Sequence, residues 1–316
     1  MNRWWIYQKE RFPLIAHGPL IAAFSASAVS YSALLRGPGE LPRWESYVVA
    51  FLVSMGSFLL LRIADEFKDA EEDARWRPYR PVPRGLVTLS ELRCIGIAVA
   101  VAQFVLSAWW SWRITGAGSV FYPQLLGLLA VTWIYFGLMS KEFFAREWLK
   151  ARPVVYLFSH MAIMPLVDWF ATGCDWVPAG DRMPAGLFWF LAASFCNGVV
   201  IELGRKIRSP EQEEAGVETY SFLWGRPVAV ASWLAAMAAT LACALMAAGR
   251  IGFTAEVAWV LGVLWVGAAV LGWIFLKTIK GKLAKGIEAM AGVWTLALYL
   301  TLGVVPLVRQ CWMKLS

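Results

Sequence analysis

Histidine is nearly missing from this sequence: His17 and His160 are the whole complement in 316 residues, and charged side chains make up only 16%. Two imidazoles leave little room for histidine general-base chemistry beyond His160, and no catalytic triad of the soluble-hydrolase kind is evident. The five cysteines, Cys94, Cys174, Cys196, Cys243 and Cys311, have no metal-ligand spacing and are odd in number. Cys174 and Cys311 fall on the same expected side and are the one pair that could meet. No stretch reads as a linker between domains, so residues 1–316 are expected to form a single unit. The D-G-x-x-A-R motif of CDP-alcohol phosphotransferases is lacking too, since DARW has the A-R but no D-G before it and no aspartate pair after it.

Apolar sequence is what the chain has in excess. It is 59% hydrophobic with a mean hydropathy of +0.57, more than an ordinary soluble domain needs. Nine segments are long enough to cross a bilayer, which takes about 20 residues each. They lie near 13–35, 46–64, 92–112, 119–139, 153–171, 184–203, 227–248, 253–276 and 288–308. The expected fold is therefore an all-α integral membrane bundle of nine transmembrane helices. With the N-terminus in the cytoplasm, twenty Lys/Arg fall on the cytoplasmic side and seven on the other, which sets that orientation by the positive-inside rule. The apolar run after MNRWWIYQKERF continues to about Leu35 with no small-residue cleavage site, so it reads as a retained first span and not as a secretory signal. Anionic inner-leaflet lipids account for the net charge of +7, and no nucleic acid partner is needed.

Two charged connections carry the chemistry. In RIADEFKDAEEDARWRPYRPVPRG, residues 62–85, Asp65, Asp69 and Asp73 recur every four residues and share one face if the segment is helical. Lys68, Arg75, Arg77, Arg80 and Arg84 follow or interleave. Carboxylates in a row can hold Mg²⁺ through oxygen, and metal with arginines can hold a diphosphate, which points to a phosphorylated lipid. The second connection, after span six, offers Glu202, Arg205, Lys206 and Arg208 before Pro210, then Glu211, Glu213 and Glu214. Pro210 should end the helix. The two connections follow spans four apart, as a pseudo-repeat would place them, so both charged ends should converge over one cavity.

These residues resemble the UbiA-type superfamily of membrane prenyltransferases. Its first motif, N-D-x-x-D-x-x-x-D followed by R-P-x-x-x-G, is matched by DEFKDAEED and RPVPRG: Asp65 stands where the family has Asn, Asp69 and Asp73 match its aspartates, and Arg80, Pro81 and Gly85 match the rest. The second motif, D-x-x-x-D with a G-x-x-[ST] element, is altered to Glu202-x-x-x-Lys206 with GVETYSFLWG downstream. A lysine there removes a metal ligand and supplies a cation.

The resemblance implies nine transmembrane helices around a central cavity capped by cytoplasmic loops. It implies an isoprenyl diphosphate, a lipid-soluble acceptor and Mg²⁺ as partners, in a multi-pass protein of a bacterial inner membrane surrounded by membrane lipids. Asp65, Asp69 and Asp73 would hold the metal, and Arg77, Arg80, Lys141, Glu202, Arg205 and Lys206 would line the substrate site. Loss of diphosphate would leave an allylic carbocation for the acceptor to attack. A terpene cyclase of the same superfamily, or a lipid-binding or transport protein without chemistry, are the alternatives.

Ionisable groups within spans are functional candidates by default. Asp168 and His160 are eight residues apart on roughly one helical side, and could form a polar acceptor site; Asp168 could equally be wet at the outer interface beside Trp169. Of the many aromatics, Tyr135, Tyr156, Trp189 and Phe195 lie in spans, where a ring face stabilises a cation by ~0.5–2 kcal/mol.

Overall fold

The computed structural model describes residues 2–115, 123–180 and 182–315, which form helices and short connections, with no strand among them. The chain opens with α1 (Arg3–Arg11), capped by the Asn2 side chain, which accepts from Trp4 N at 3.0 Å. Pro13 forces Phe12 out of helical geometry, and α2 (Leu14–Arg36) begins beyond it. Then come α3 (Trp44–Lys68), α4 (Ala70–Trp76), α5 (Leu89–Thr115), α6 (Gln124–Ser140), α7 (Arg146–Lys150), α8 (Pro153–Met161) and α9 (Ile163–Trp176). The second half holds α10 (Leu187–Arg205), α11 (Tyr220–Leu223), α12 (Arg226–Gly249), α13 (Thr254–Thr278), α14 (Gly281–Leu302) and α15 (Val304–Leu315).

Among the described residues eight stretches are long and apolar enough to cross a membrane; α8 with α9, and α14 with α15, count as one each. The remaining apolar helix, α6, has 17 residues; at about 1.5 Å per residue it falls short of a hydrocarbon layer of about 30 Å. Residues 119–122 of the expected fourth span lie outside the described residues. The protein is thus an all-helical, multi-pass integral membrane protein with eight clear spans among the described residues; the expected span 119–139 lies partly outside them.

Two of the breaks have a common cause. Pro165 has no N–H to offer the Met161 carbonyl and its ring crowds that carbonyl, and Pro306 does the same to Leu302. The chain accordingly leaves helical pairing at Ala162 and Gly303, splitting α8 from α9 and α14 from α15. The last span also begins at Gly281, seven residues before the expected 288, because the polar turn GKLAKG is helical.

The core runs through the middle of the bundle and includes the fully buried Trp233, Trp294, Tyr31 and Tyr299. At the other end from the charged connections, Arg36 ties α2 to α9 through both Asp175 oxygens at 3.0 Å. Cys174 and Cys311 are free thiols. Helix α1 is a separate strut at the charged end, where Tyr7 is buried with Ile63, Val87 and Leu92. Arg3 meets Glu91 at 2.6 Å, Glu10 meets Arg84 at 2.9 Å, and Arg11 pairs with the buried Glu66.

Gly303 sets how closely α2 can approach the α14–α15 junction, because a Cβ there would lie 2.3 Å from the Ser27 carbonyl oxygen. Backbone cannot yield as a flexible side chain can, so Gly303→Ala is expected to destabilise the protein by ~2 kcal/mol or more. Gly292→Ala, with nothing within 4 Å of the added carbon, should leave the unfolding temperature in detergent unchanged or slightly raised.

Candidate functional site

Three connections, 69–88, 141–152 and 206–225, meet at one end of the bundle around a cavity of about 790 Å³. Asp65 lies in the last turn of α3, and Asp69 sits at the break between α3 and α4 with φ −94° and ψ 5°. Both face the cavity. Among the described residues Asp65 has two long ion pairs, to Arg62 at 3.4 Å and Lys68 at 3.5 Å. Asp69 pairs with no side chain among the described residues. Burial, with Asp65 and Asp73 nearby, raises its pKa above the ordinary carboxylate value, and Lys68 and Arg77 oppose that shift.

Asp73 is placed differently. The break at Asp69 turns it inward, where it is buried and held by Arg77 at 2.6 Å and Arg80 at 2.7 Å. The expected row of three carboxylates is therefore two on the cavity wall and one beneath it. Asp73 orients Arg77 and Arg80, both of which line the cavity.

Across the cavity, the C-terminal end of α10 supplies Glu202, which accepts from Arg205 at 2.6 Å and lies 3.0 Å from Lys206. This carboxylate is neutralised twice over by residues of its own helix end. Ten Lys/Arg and seven Asp/Glu line the whole chamber, so its balance favours an anion. Arg62, Arg146 and Lys150 belong to the lining as well and were not singled out from sequence, while Arg208 of the second connection lines it as its place beside Lys206 suggested. Lys141, which was singled out, is exposed and outside it. The right connection was legible after span four, but the side chains that reach inward come from the α7 turn that follows.

A cap crosses the opening. Trp76 lies flat against Gly216, whose φ of +74° and lack of a Cβ both matter, since that atom would sit 2.5 Å from the indole. Tyr79 Oη donates to Glu214 at 2.8 Å. Lys150 donates to Glu72 at 2.7 Å, and this hydrogen bond holds Glu72 below its ordinary pKa.

Beneath the charges the lining turns apolar, with Met139, Met161, Ile163 and Met164. Tyr156 and His160 stack at 3.9 Å between these two zones, and Lys68 Nζ donates to Tyr156 Oη at 3.1 Å. Of the four ring candidates, Tyr156 is the one on the wall. A narrow crevice bounded by Leu60, Phe136 and Val167 shares Leu61 and Ile163 with the chamber and runs on between α3, α6 and α9. His160 and Asp168 do not share a site, because the Pro165 break separates their helices. Asp168 is neither on the wall nor wet: it is fully buried and accepts from Tyr299 Oη at 2.9 Å.

Asp65 and Asp69 fit a hard divalent cation. Their oxygens are open to the chamber, and the unrelieved carboxylate at Asp69 would gain from a positive charge. Among the described residues no three carboxylate, imidazole or thiol groups form a ready-made cluster. Mg²⁺ does not need one, since it is usually held by one or two carboxylates with waters and substrate phosphates.

Fold and chamber define a multi-pass membrane protein with a net-basic chamber at the edge of an apolar interior. The UbiA prenyltransferase family matches residues 25–296, and the chain belongs to that family of membrane prenyltransferases. Among solved structures, a UbiA homolog from Aeropyrum pernix K1 superposes with a TM-score of 0.64 at 12% identity, over 95% of this chain and 99% of that one. A digeranylgeranylglyceryl phosphate synthase superposes at 0.56 and 13% identity, over 98% and 100%. A UbiA homolog from Archaeoglobus fulgidus does so at 0.52 and 12%, over 91% and 96%. A comparison with curated proteins finds no match.

The division of labour among the aspartates is testable. Asp73→Asn leaves Arg77 and Arg80 without their carboxylate, and a buried pair broken in this way costs about 3–5 kcal/mol. The variant should lose that stability in detergent and bind inorganic pyrophosphate at least tenfold more weakly, with Mg²⁺ affinity within threefold of wild type. Asp69→Asn should weaken Mg²⁺ binding and leave thermal stability unchanged or raised.

Proposed function

We propose that the protein transfers an isoprenyl group from an isoprenyl diphosphate to a lipid-soluble acceptor, in a Mg²⁺-dependent reaction that passes through an allylic carbocation. The observation that carries this reading is the zoned chamber: two open carboxylates and an excess of Lys/Arg at the top, apolar side chains directly below. A diphosphate headgroup suits the first zone and an isoprenyl tail the second. The orientation that goes with it puts the N-terminus and the cap in the cytoplasm, where water-soluble pyrophosphate can leave.

Asp65 and Asp69 hold the metal, which when bound supplies positive charge to the diphosphate oxygens. Arg77 and Arg80, fixed by Asp73, add charge-assisted hydrogen bonds to the same oxygens. On the opposite wall Arg205 and Lys206 take the place of a second metal, because Glu202 is already committed to them. As the carbon–oxygen bond to diphosphate breaks, these fixed cations stabilise the leaving group without having to reorganise. The Tyr156–His160 ring pair stands at the boundary of the two zones, and the apolar lining below it keeps water from the cation.

The test is pyrophosphate release by purified protein given geranyl, farnesyl or geranylgeranyl diphosphate, with and without a membrane lipid extract. Release should need both Mg²⁺ and the extract, and Asp69→Asn should reduce it at least ~100-fold. Release without extract, together with a cyclised hydrocarbon, would make the protein a cyclase. No release under any condition would overturn the enzymatic reading.

A further inference from the structure

We propose that His160 recognises the second substrate, receiving through Nε2 the hydrogen of an acceptor hydroxyl, and takes that proton as the new bond forms. The inference rests on the transferase reading above and adds to it a residue on the acceptor side.

The geometry fixes which nitrogen is free. His160 Nδ1 lies 2.9 Å from the Tyr156 carbonyl oxygen. A carbonyl can only accept, so Nδ1 carries the hydrogen and Nε2 is left with its lone pair. The Ser159 hydroxyl does not compete, since it donates to the same carbonyl at 3.0 Å. His160 is 8% exposed, lines the chamber, and its Nε2 is buried with no hydrogen-bond partner. A buried acceptor left unpaired costs free energy that a ligand's donor restores. Its ring cannot swing away freely, because Tyr156 stacks on one face and Phe143 meets it edge-on with centroids 6.2 Å apart.

Position gives this nitrogen a chemical meaning. Tyr156 bridges it to Lys68, and Lys68 in turn to Asp65, so His160 stands one ring below the carboxylates that face the diphosphate. Below it the lining is methionine and isoleucine. The charged groups acting on the ring are Lys68, Asp65 and Glu202. A hydrogen-bond acceptor at this boundary selects a co-substrate with an O–H on an otherwise apolar body, which is an alcohol or phenol. In the transfer, the acceptor oxygen bonds to the first carbon of the isoprenyl group and the bond from that carbon to diphosphate breaks. The electron pair leaves with diphosphate, and the hydroxyl proton moves to Nε2.

Having only two histidines makes the experiment direct. Full-length protein labelled with ¹⁵N-histidine gives two imidazole signal sets, assigned with His17→Gln. His160 should read as the Nδ1–H tautomer. Saturation with para-hexylphenol should shift its Nε2 signal in the direction of hydrogen bonding, and the methyl ether of the same phenol should not. His160→Phe keeps a ring against Tyr156 and should bind the phenol at least about tenfold more weakly, with inorganic pyrophosphate affinity within twofold of wild type. His160→Gln still offers an acceptor but takes no proton, so it should keep phenol affinity within threefold. Extract-dependent pyrophosphate release by the same variant should fall about 100-fold.

An Nε2–H tautomer, equal shifts from phenol and ether, or unchanged phenol binding by His160→Phe would overturn the recognition claim. Wild-type release rates in His160→Gln would overturn the proton step. Absence of release from the wild-type protein would remove the transferase reading and that step together, with recognition then decided by the NMR result alone.

Discussion

Charge at the end of an apolar bundle must be balanced at short range, and the pairing of Asp73 with Arg77 and Arg80 is where this protein's architecture turns on that rule. With little water to screen them, two guanidinium groups on one connection would repel each other and drift apart. One buried carboxylate between them fixes both on the chamber wall. The break at Asp69 makes this possible: an unbroken helix would carry Asp73 along the same stripe as Asp65 and Asp69. The cost of burying a carboxylate is met by two cations, and the result is a fixed pair of arginines on the chamber wall.

The two halves of the chamber solve the same problem in opposite ways. After α3 the carboxylates toward the cavity are open, and the cations they accompany are held from behind. After α10 the carboxylate is closed off by Arg205 and Lys206. One side leaves its carboxylates open to the chamber, and the other is neutralised by cations of its own helix end. The cap joins them through the Trp76–Gly216 contact and the Tyr79–Glu214 hydrogen bond, so the halves cannot separate without losing both. This asymmetry distinguishes the chain from the two-sided acidic pattern that its family resemblance evoked.

Much of this was legible in the sequence for physical reasons. Apolar length declares spans, and the D-x-x-x-D frame with R-P-x-x-x-G marks the first wall, because those residue types at that spacing serve few other purposes. What escaped was everything set by helix breaks. Periodicity put Asp65, Asp69 and Asp73 on one face, and His160 with Asp168 on another; both readings assume continuous helices. Pro165 was visible as a signal, and its consequence for the His160–Asp168 pair could have been drawn. The turn at Asp69 contains no proline or glycine, and is explained only by the Arg77 and Arg80 contacts further on. Arg146 and Lys150 were hidden for a related reason, since which basic residue of a short loop reaches inward depends on a turn of helix that composition does not reveal.

The measurement that bears most directly on this account is the number of divalent cations bound when the chamber holds a diphosphate. Mn²⁺ is a suitable probe, and electron paramagnetic resonance counts it in the presence of inorganic pyrophosphate. One pyrophosphate-dependent Mn²⁺ per chain is predicted, lost in Asp69→Asn and retained in Glu202→Gln. Two strongly cooperative Mn²⁺ ions, with one of them lost in Glu202→Gln, would contradict it.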